Sequence, residues 1–409
     1  MSYFRKTPIL ATLCMFALAF WTTTASGLAQ DNVVRAGQIE ASGPSFLHTP
    51  TLSVTPHDHM HGADDPYCGT DLYSPEARAV MAQIMAERKA GLRLPLRKGG
   101  NPPDIGDQQT FNVSETDSNG DPAWIPLEFE LVDTTGLYHL WVEVAELDNG
   151  RIDNSHRDAL RQAVVTSTPS RSINPRQGIF ANNNDIFGMP PDIDGDGIVD
   201  ILIYDIGRAF TGTVGYVSGT DQLISPPEGT GNQRDILYLD SRWAANDLQA
   251  LANVAAHEYA HLINFSYEYY NTFISEGLAE FASVMNGYYW RTINYVSNVA
   301  EVSLPLFNWE PAPSPPDPTD YQRGNLFMSY IGEQYGPEVV GEIMWDPGPK
   351  SVLGFDAVMA NHGSSLSDVI LDFHTANYLN DRTDDVRFGY EAPEYARLNA
   401  FLTSPPVNG

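Results

Sequence analysis

Cysteine and lysine are both scarce in this chain. The two cysteines are Cys14 and Cys68. Cys14 lies in an N-terminal stretch of export-signal character and is expected to leave with it. The mature chain then keeps Cys68 alone and can form no internal disulfide. An exported fold of that kind must draw its stability from packing, bound metal or both. Lysine is confined to Lys6, Lys89, Lys98 and Lys350. With 23 Lys+Arg against 52 Asp+Glu, the formal net charge is -29, which repels phosphate backbones and excludes nucleic acid as a partner. No second long apolar run follows the N-terminal one, so no stable membrane insertion is expected once that segment is removed. A Gly-x-Ser-x-Gly elbow is absent, which leaves a serine hydrolase unsupported. No Gly-Lys dipeptide occurs either, which excludes a Walker A loop.

What is present is globular: hydrophobic residues make up 42% and charged residues 18%. The length of 409 residues fits one large domain preceded by a pre- and pro-region better than two equal domains. Residues 1–29 read as a signal peptide. Arg5 and Lys6 precede an apolar run from Ile9 to Trp21, and small residues at Ala25, Gly27 and Ala29 follow. An uncleaved anchor is the alternative, and no lipobox precedes Cys14. Residues 30–104 read as a pro-segment and linker. They contain a loop-like stretch with His57, His59 and His61, which reads more readily as an unstructured cluster than as a metal site. A short helix follows over Ala77–Ala90, with Ser74 as N-cap, Pro75 at its first position and Gly91 at its end. The Gly- and Pro-rich stretch Leu94–Asp107 reads as a linker.

The main domain is expected over 105–395, with 396–409 as a tail. Strands are predicted at Trp124–Val132, Leu137–Leu147, Ile198–Ile206 and Ile236–Leu239. Helices are predicted at Asp153–Thr166, Ala244–Phe265 and roughly 275–287, 322–335, 351–361 and 366–379. Strands first and helices later indicate an α+β domain: an N-terminal twisted sheet with an active-site helix, then a mainly helical C-terminal subdomain.

The central signal is His257-Glu258-Tyr259-Ala260-His261. The apolar spacing of Leu248, Leu251, Ala252, Val254 and Ala255 places it on a helix. Residues one turn apart share a face, so both imidazoles can reach a single ion. Glu258 is rotated from His257 by roughly 100° and can serve a water there without being a ligand. Zinc lowers the pKa of such a water towards about 7, and a carboxylate can take its proton as it attacks a carbonyl. A second helical pattern opens at Ser275-Glu276-Gly277-Leu278-Ala279-Glu280-Phe281. Glu276 and Glu280 also lie one turn apart. One of them can complete a His2Glu site, and the other can fix the tautomer of a ligand histidine. The bland alternatives are ordinary helical histidines and a solvated acidic face.

These segments resemble the gluzincin metallopeptidases, in which HExxH is followed by a helix carrying NEGxAE-type residues. The resemblance implies a zincin-like domain with Glu276 as third zinc ligand and Glu280 in support behind the ligands. Asp320-Tyr321-Gln322-Arg323-Gly324 resembles the Y-x-[KR]-G element of the gluzincin aminopeptidase branch, which implies that Tyr321 donates to the oxyanion. Otherwise Tyr321 merely starts a helix. His374 and Tyr330 are the next candidates for that role. Over roughly 105–380 the order of GYVSGTD, ILYLD, HEYAHLINF and SEGLAEFA is most similar to the hyicolysin-like peptidases. The GxMEN motif of the aminopeptidase branch is absent, which favours an endopeptidase.

Further segments carry secondary expectations. Asp192, Asp194, Asp196 and Asp200, with Gly197 and the Ile198 carbonyl, follow the order of a calcium loop. Ile203 stands where an EF-hand has its bidentate glutamate, with Asp205 as a substitute donor; a solvated acidic turn is the alternative. The proline-rich stretch from Pro305 to Pro318, with Trp309, forms either one wall of the cleft or a plain linker. Cys68, upstream of the main domain, can fill the open zinc position and silence the enzyme until the linker is cut; a free or buried thiol is the alternative. The sequence therefore points to a secreted (extracellular or periplasmic) zinc endopeptidase, expected as a monomer acting on protein or peptide substrates. The competing class is a secreted calcium-binding adhesion or structural protein with an inactive zincin-like domain. The presence of Glu258 argues against it.

Overall fold

The computed structural model describes residues 67–70, 74–92, 94, 102–116, 122–206, 212–268, 270–289, 291, 293, 295–297, 302, 304–309, 317–396 and 398. All lie in one compact unit, Met60–Gly409. The signal segment with Cys14, the loop carrying His57, His59 and His61, residues 95–101 of the linker and the tail beyond 398 lie outside the described residues.

The described residues begin with strand β1 (Tyr67–Cys68) and helix α1 (Pro75–Lys89), then β2 (Gln108–Thr116), β3 (Pro122–Thr134) and β4 (Tyr138–Glu143). Helices α2 (Val144–Asp148), α3 (Asn154–Arg161) and α4 (Ile179–Phe187) lead to β5 (Val199–Tyr204), β6 (Thr213–Tyr216) and β7 (Ile236–Asp240). The rest is helical: α5 (Ser241–Asn246), α6 (Leu248–Asn264), α7 (Thr272–Met285), α8 (Pro318–Tyr335), α9 (Pro337–Trp345), α10 (Val352–Asn361) and α11 (Leu366–Leu379).

One 7-stranded sheet takes the order β1-β6-β7-β5-β4-β3-β2. Strands β4, β5 and β7 run parallel, β2, β3 and β4 antiparallel, and β6 antiparallel to β7. The result is a mixed sheet with several helices, compatible with the expected α+β class. Helices α2–α4 fall between strands rather than after them, because parallel neighbours such as β4 and β5 need a crossover.

Both faces of the central strands are covered, so their sequences read as continuous apolar runs. Leu140, Val142, Ile201, Ile203, Leu237 and Leu239 face the helices. Phe111, Phe129, Trp141, Leu202, Tyr204 and Tyr238 form a second cluster on the opposite face. This explains one corrected expectation. The run from Leu137 to Leu147 is not a single strand; it turns into α2 after Glu143, and burial on both sides hides the change of period. Likewise Asp153–Thr166 is α3, opened by a capping box between Asp153 and His156, followed by a π-helical turn at Gln162–Thr166.

The segment expected to precede the main domain shares its sheet. β1 pairs in parallel with the edge strand β6. Of α1, only Ile84 is fully buried.

Two helices position the site. Helix α6 is capped by Asp247, whose side chain accepts from Gln249 N, and α7 by Asn271, which accepts from Ile274 N. α7 is buried along its whole length. It can approach α8 closely because glycines meet there: a Cβ on Gly277 would stand 3.0 Å from Met328 Cγ and 3.2 Å from Gly324 O. On the other side, a Cβ on Gly215 of β6 would lie 3.1 Å from Glu258 Cγ. The site is thus enclosed between β6, α6, α7 and α8.

Candidate metal centre

Helical spacing brings His257 Nε2 and His261 Nε2 to 3.2 Å from each other. From α7, Glu276 Oε2 stands 3.2 Å from His257 Nε2 and 3.4 Å from His261 Nε2. Glu276 is fully buried, and neither of its oxygens receives a properly directed hydrogen bond. An unsolvated carboxylate without a donor is costly unless a cation neutralises it. The spacing fits one. Ligand bonds of about 2.0–2.1 Å in a tetrahedron put ligand atoms about 3.3–3.4 Å apart. The donor set of two imidazoles and a carboxylate is also the type zinc takes. These residues therefore fit the expected metal. A fourth donor was not among the expected main-domain residues: Cys68 on β1 joins His257, His261 and Glu276, with one ligand atom of each lying within 4.8 Å of the others.

Burial pushes the Glu276 carboxyl up, but the charge of His261 and the close approach of both imidazoles outweigh it and bring it to about 2. For His257, burial works against the imidazolium, yet Glu276, Glu258 and Glu280 raise it above its ordinary value. Glu258 is raised by burial, against the opposing charges of both histidines. The Cys68 thiol is pushed well up by burial and then by Glu258 and Glu276.

Glu258 stands beside the ligand ring and outside it. Its Oε2 accepts from Thr70 Oγ1 at 3.0 Å and lies 3.5 Å from Cys68 Sγ. Its Oε1 has no protein partner. Glu280 lies behind His257, with Oε1 3.5 Å from Nδ1. It is held there by Arg291 Nε at 2.6 Å and Asn325 Nδ2 at 3.0 Å. The Arg291 guanidinium also lies 4.4 Å over the ring of Tyr321. The Tyr321 ring is 6.5 Å from that of His257, and its hydroxyl donates to Cys68 O at 3.3 Å. Trp309 packs edge-on against Tyr321 at 5.0 Å, so that end of the proline-rich segment reaches the site. Arg323 holds it there through Leu306 O and Asn308 O.

The structure therefore brings His257, Glu258, His261, Glu276, Glu280 and Tyr321 together. Tyr330 and His374 lie elsewhere: Tyr330 donates to Arg387 O at 2.9 Å, and His374 packs beside Phe373. Thr70, Arg291 and Asn325 belong to the site but no motif marked them. Each reaches it across a helix or strand boundary that local spacing does not report.

The acidic loop is only partly as expected. Asp192, Asp194 and Asp196 do gather, each with a carboxylate oxygen within 4.8 Å of the others. Asp200 does not join them. It lies on β5 and is committed to Arg234 at 2.9 Å and Trp141 Nε1 at 2.7 Å, with His139 at 3.4 Å. Asp205 pairs with Arg242 at 3.1 Å and Arg151 at 3.3 Å. In a strand, successive side chains alternate faces, so Asp200 points with Leu202 and Tyr204 and away from the loop. Backbone N–H groups of Gly197 and Ile198 cap Asp192 and Asp196 at 2.9 and 2.8 Å.

His257, His261 and Glu276, with Cys68, form a buried group that could hold a metal ion, and Glu258 stands aside from it. No family model matches the chain. The chain is similar to the neutral metalloprotease ShpI of Staphylococcus hyicus, with 24% identity over 245 residues, covering 54% of this chain and 52% of that protein. It thus spans about half the length of the curated relative it matches. Among the described residues no helix is long and apolar enough to cross a membrane.

Proposed function

We propose that this chain is a secreted zinc-dependent endopeptidase with a zincin-like, gluzincin-type domain. The observation that carries the reading is the convergence of His257 Nε2, His261 Nε2 and Glu276 Oε2 at 3.2–3.4 Å, with Glu258 beside them and outside the ring. The likeness to a neutral metalloprotease supports the same class. His257, His261 and Glu276 would hold the zinc, which when bound would supply Lewis acidity and bring the pKa of a water towards about 7. Glu258, outside the ligand ring and with Oε1 lacking a protein partner, would be the group that accepts a proton from an attacking water and returns it to the leaving amine. Tyr321 donates its hydroxyl to the developing oxyanion. Glu280, held by Arg291 and Asn325, orients the His257 ring through Nδ1. The loop of Asp192, Asp194 and Asp196 takes calcium in a bracing role, without Asp200. Substrates are protein or peptide chains, and the mature protein acts as a monomer.

The test is metal content by mass spectrometry together with casein hydrolysis, before and after chelation. One zinc per chain and chelator-sensitive cleavage are expected. A zinc-loaded protein that cleaves nothing, even after limited proteolysis and with Cys68 replaced, would leave the calcium-binding structural protein as the better reading.

A further inference from the structure

The groups proposed to act in hydrolysis meet one short stretch of chain, Tyr67–Thr70. Cys68 Sγ shares the ligand cluster with His257, His261 and Glu276. The hydroxyl of Thr70 donates to Glu258 Oε2 at 3.0 Å, and that same hydroxyl accepts from Val217 N at 2.9 Å. The carbonyl of Cys68 receives the Tyr321 hydroxyl at 3.3 Å. The backbone of this stretch lies along β6, with Tyr67 N donating to Gly212 O at 2.9 Å and Gly69 N to Gly215 O at 2.8 Å. Gly69 is tightly fitted: a Cβ there would stand 2.6 Å from Thr213 Cγ2. A cavity of about 770 Å³ opens beside Gly69, yet His257, His261 and Glu276 do not line it. The ligands lie buried beneath the stretch.

A catalytic zinc keeps one position open, whereas a four-coordinate zinc with only protein ligands is structural. We propose that Cys68 is the fourth ligand of the metal and that β1, Gly69, Thr70 and α1 form a built-in inhibitor. As a thiolate, Cys68 closes the coordination sphere, Thr70 occupies the base, Cys68 O occupies the oxyanion donor, and β1 occupies the sheet edge along which a polypeptide substrate would pair. The second observation, independent of the cysteine, is Glu276: both of its buried oxygens lack directed donors, which marks the cluster as a cation site. The hold is releasable. It consists of a two-residue strand, the thiolate bond, the hydrogen bonds at Thr70 and Cys68 O, one from Ile224 N to Glu87, and a helix that fully buries only Ile84. Cleavage beyond α1 lets the segment leave; the metal–sulfur bond breaks, the thiolate takes a proton from solvent, and water enters the fourth position.

This inference rests on the zinc-peptidase reading, and the experiment separates the two. The full chain is loaded with cobalt(II) in place of zinc, and metal content, near-ultraviolet absorption and reactivity of the thiol towards Ellman's reagent are recorded. The expected result is a thiolate-to-cobalt charge-transfer band in the wild type, lost in Cys68→Ser at equal metal content, with the wild-type thiol protected until chelator is added. Unprocessed wild type should be latent towards casein, and unprocessed Cys68→Ser active. Metal bound without the band, with the thiol equally reactive in the presence and absence of metal, overturns the ligand role and leaves the peptidase reading standing. Equal cleavage by the two precursors overturns the latency. Failure to bind any metal overturns both. The wild-type spectrum and thiol titration decide the ligand role even if the serine variant does not fold.

Discussion

Replacing Glu258 by Gln separates the base from the ligands more sharply than any other single change. The substitution conserves shape, and its amide oxygen can still accept from Thr70 Oγ1, now 3.0 Å from Oε2. Glu258 lies outside the ring formed by His257, His261, Glu276 and Cys68, so zinc should be retained at one per chain. What is lost is the proton acceptor. General-base catalysis contributes about 10²–10⁴ in rate, so kcat should fall by that factor, or about 3–5 kcal/mol of transition-state stabilisation. KM should change little, because the carboxylate acts on water and not on the substrate in its ground state. The assay is steady-state cleavage of a quenched fluorescent peptide, with zinc measured on the same samples. Running it in the Cys68→Ser background as well removes any contribution from latency. A variant that cleaves at the wild-type rate would refute the base role. A variant that loses zinc along with activity would place Glu258 among the ligands and refute the geometry on which the mechanism rests.

Glu276→Ala should lower zinc occupancy far more than Glu280→Ala, since Glu276 stands 3.2–3.4 Å from both ligand nitrogens and Glu280 only 3.5 Å from the outer nitrogen of His257. The reverse ranking in a competition titration with a chelator would move the ligand role to Glu280. Tyr321→Phe should reduce kcat by about 10²-fold with little change in KM, as for one lost oxyanion donor; an unchanged kcat would remove it from the site. A pH effect on stability is expected from Asp221, far from the metal cluster in sequence and packed under Tyr238. Burial raises its carboxyl from 3.8 to about 7, against the hydrogen bonds from Tyr238 and Asn232. With the folded pKa above the unfolded one, the native state binds the extra proton, so this contribution is full below about 4 and is lost as pH rises to about 7, with an upper bound of about 4 kcal/mol. Urea unfolding of wild type and Asp221→Asn between those pH values would measure it, and an identical slope in the two proteins would exclude Asp221 as its source.

Much of the C-terminal half was legible because its signals are local. Helices α10 and α11 follow the predicted 351–361 and 366–379 closely, since Ser351 and Ser365 cap them and no competing pattern intervenes. Strand β2 was not expected. Its alternation of Phe111 and Val113 with polar neighbours is embedded in a Gln-, Asn- and Ser-bearing sequence that reads as loop, and it becomes a strand by pairing with β3 along its length. Helix α4 was missed for a similar reason: Asn182, Asn183 and Asn184 disfavour a helix on their own. In the fold the side-chain amide nitrogens of Asn183 and Asn182 donate to Ala256 O and Asn286 Oδ1 inside the core.

The sequence by itself determined the parts of the centre that lie within one helical turn. Four residues of an α-helix advance about 6 Å, so His257 and His261 had to share a face and Glu258 had to leave it, whatever the rest of the chain did. Across helices no such rule exists. Glu276 and Glu280 were equivalent as spacings, and only the packed helices place Glu276 beside the Nε2 atoms of both histidines and Glu280 behind His257, held by Arg291 and Asn325. Asp200 and Cys68 show the same limit from opposite sides. Asp200 sits in the acidic loop's sequence, but strand alternation sends it to Arg234. Cys68 is remote in sequence, but pairing of β1 with β6 sets its sulfur among the ligands. Hydrogen-bonded backbone periodicity acts over a few residues and is written in the local sequence. The meeting of separate elements depends on which surfaces exclude water together, and that only the tertiary structure decided.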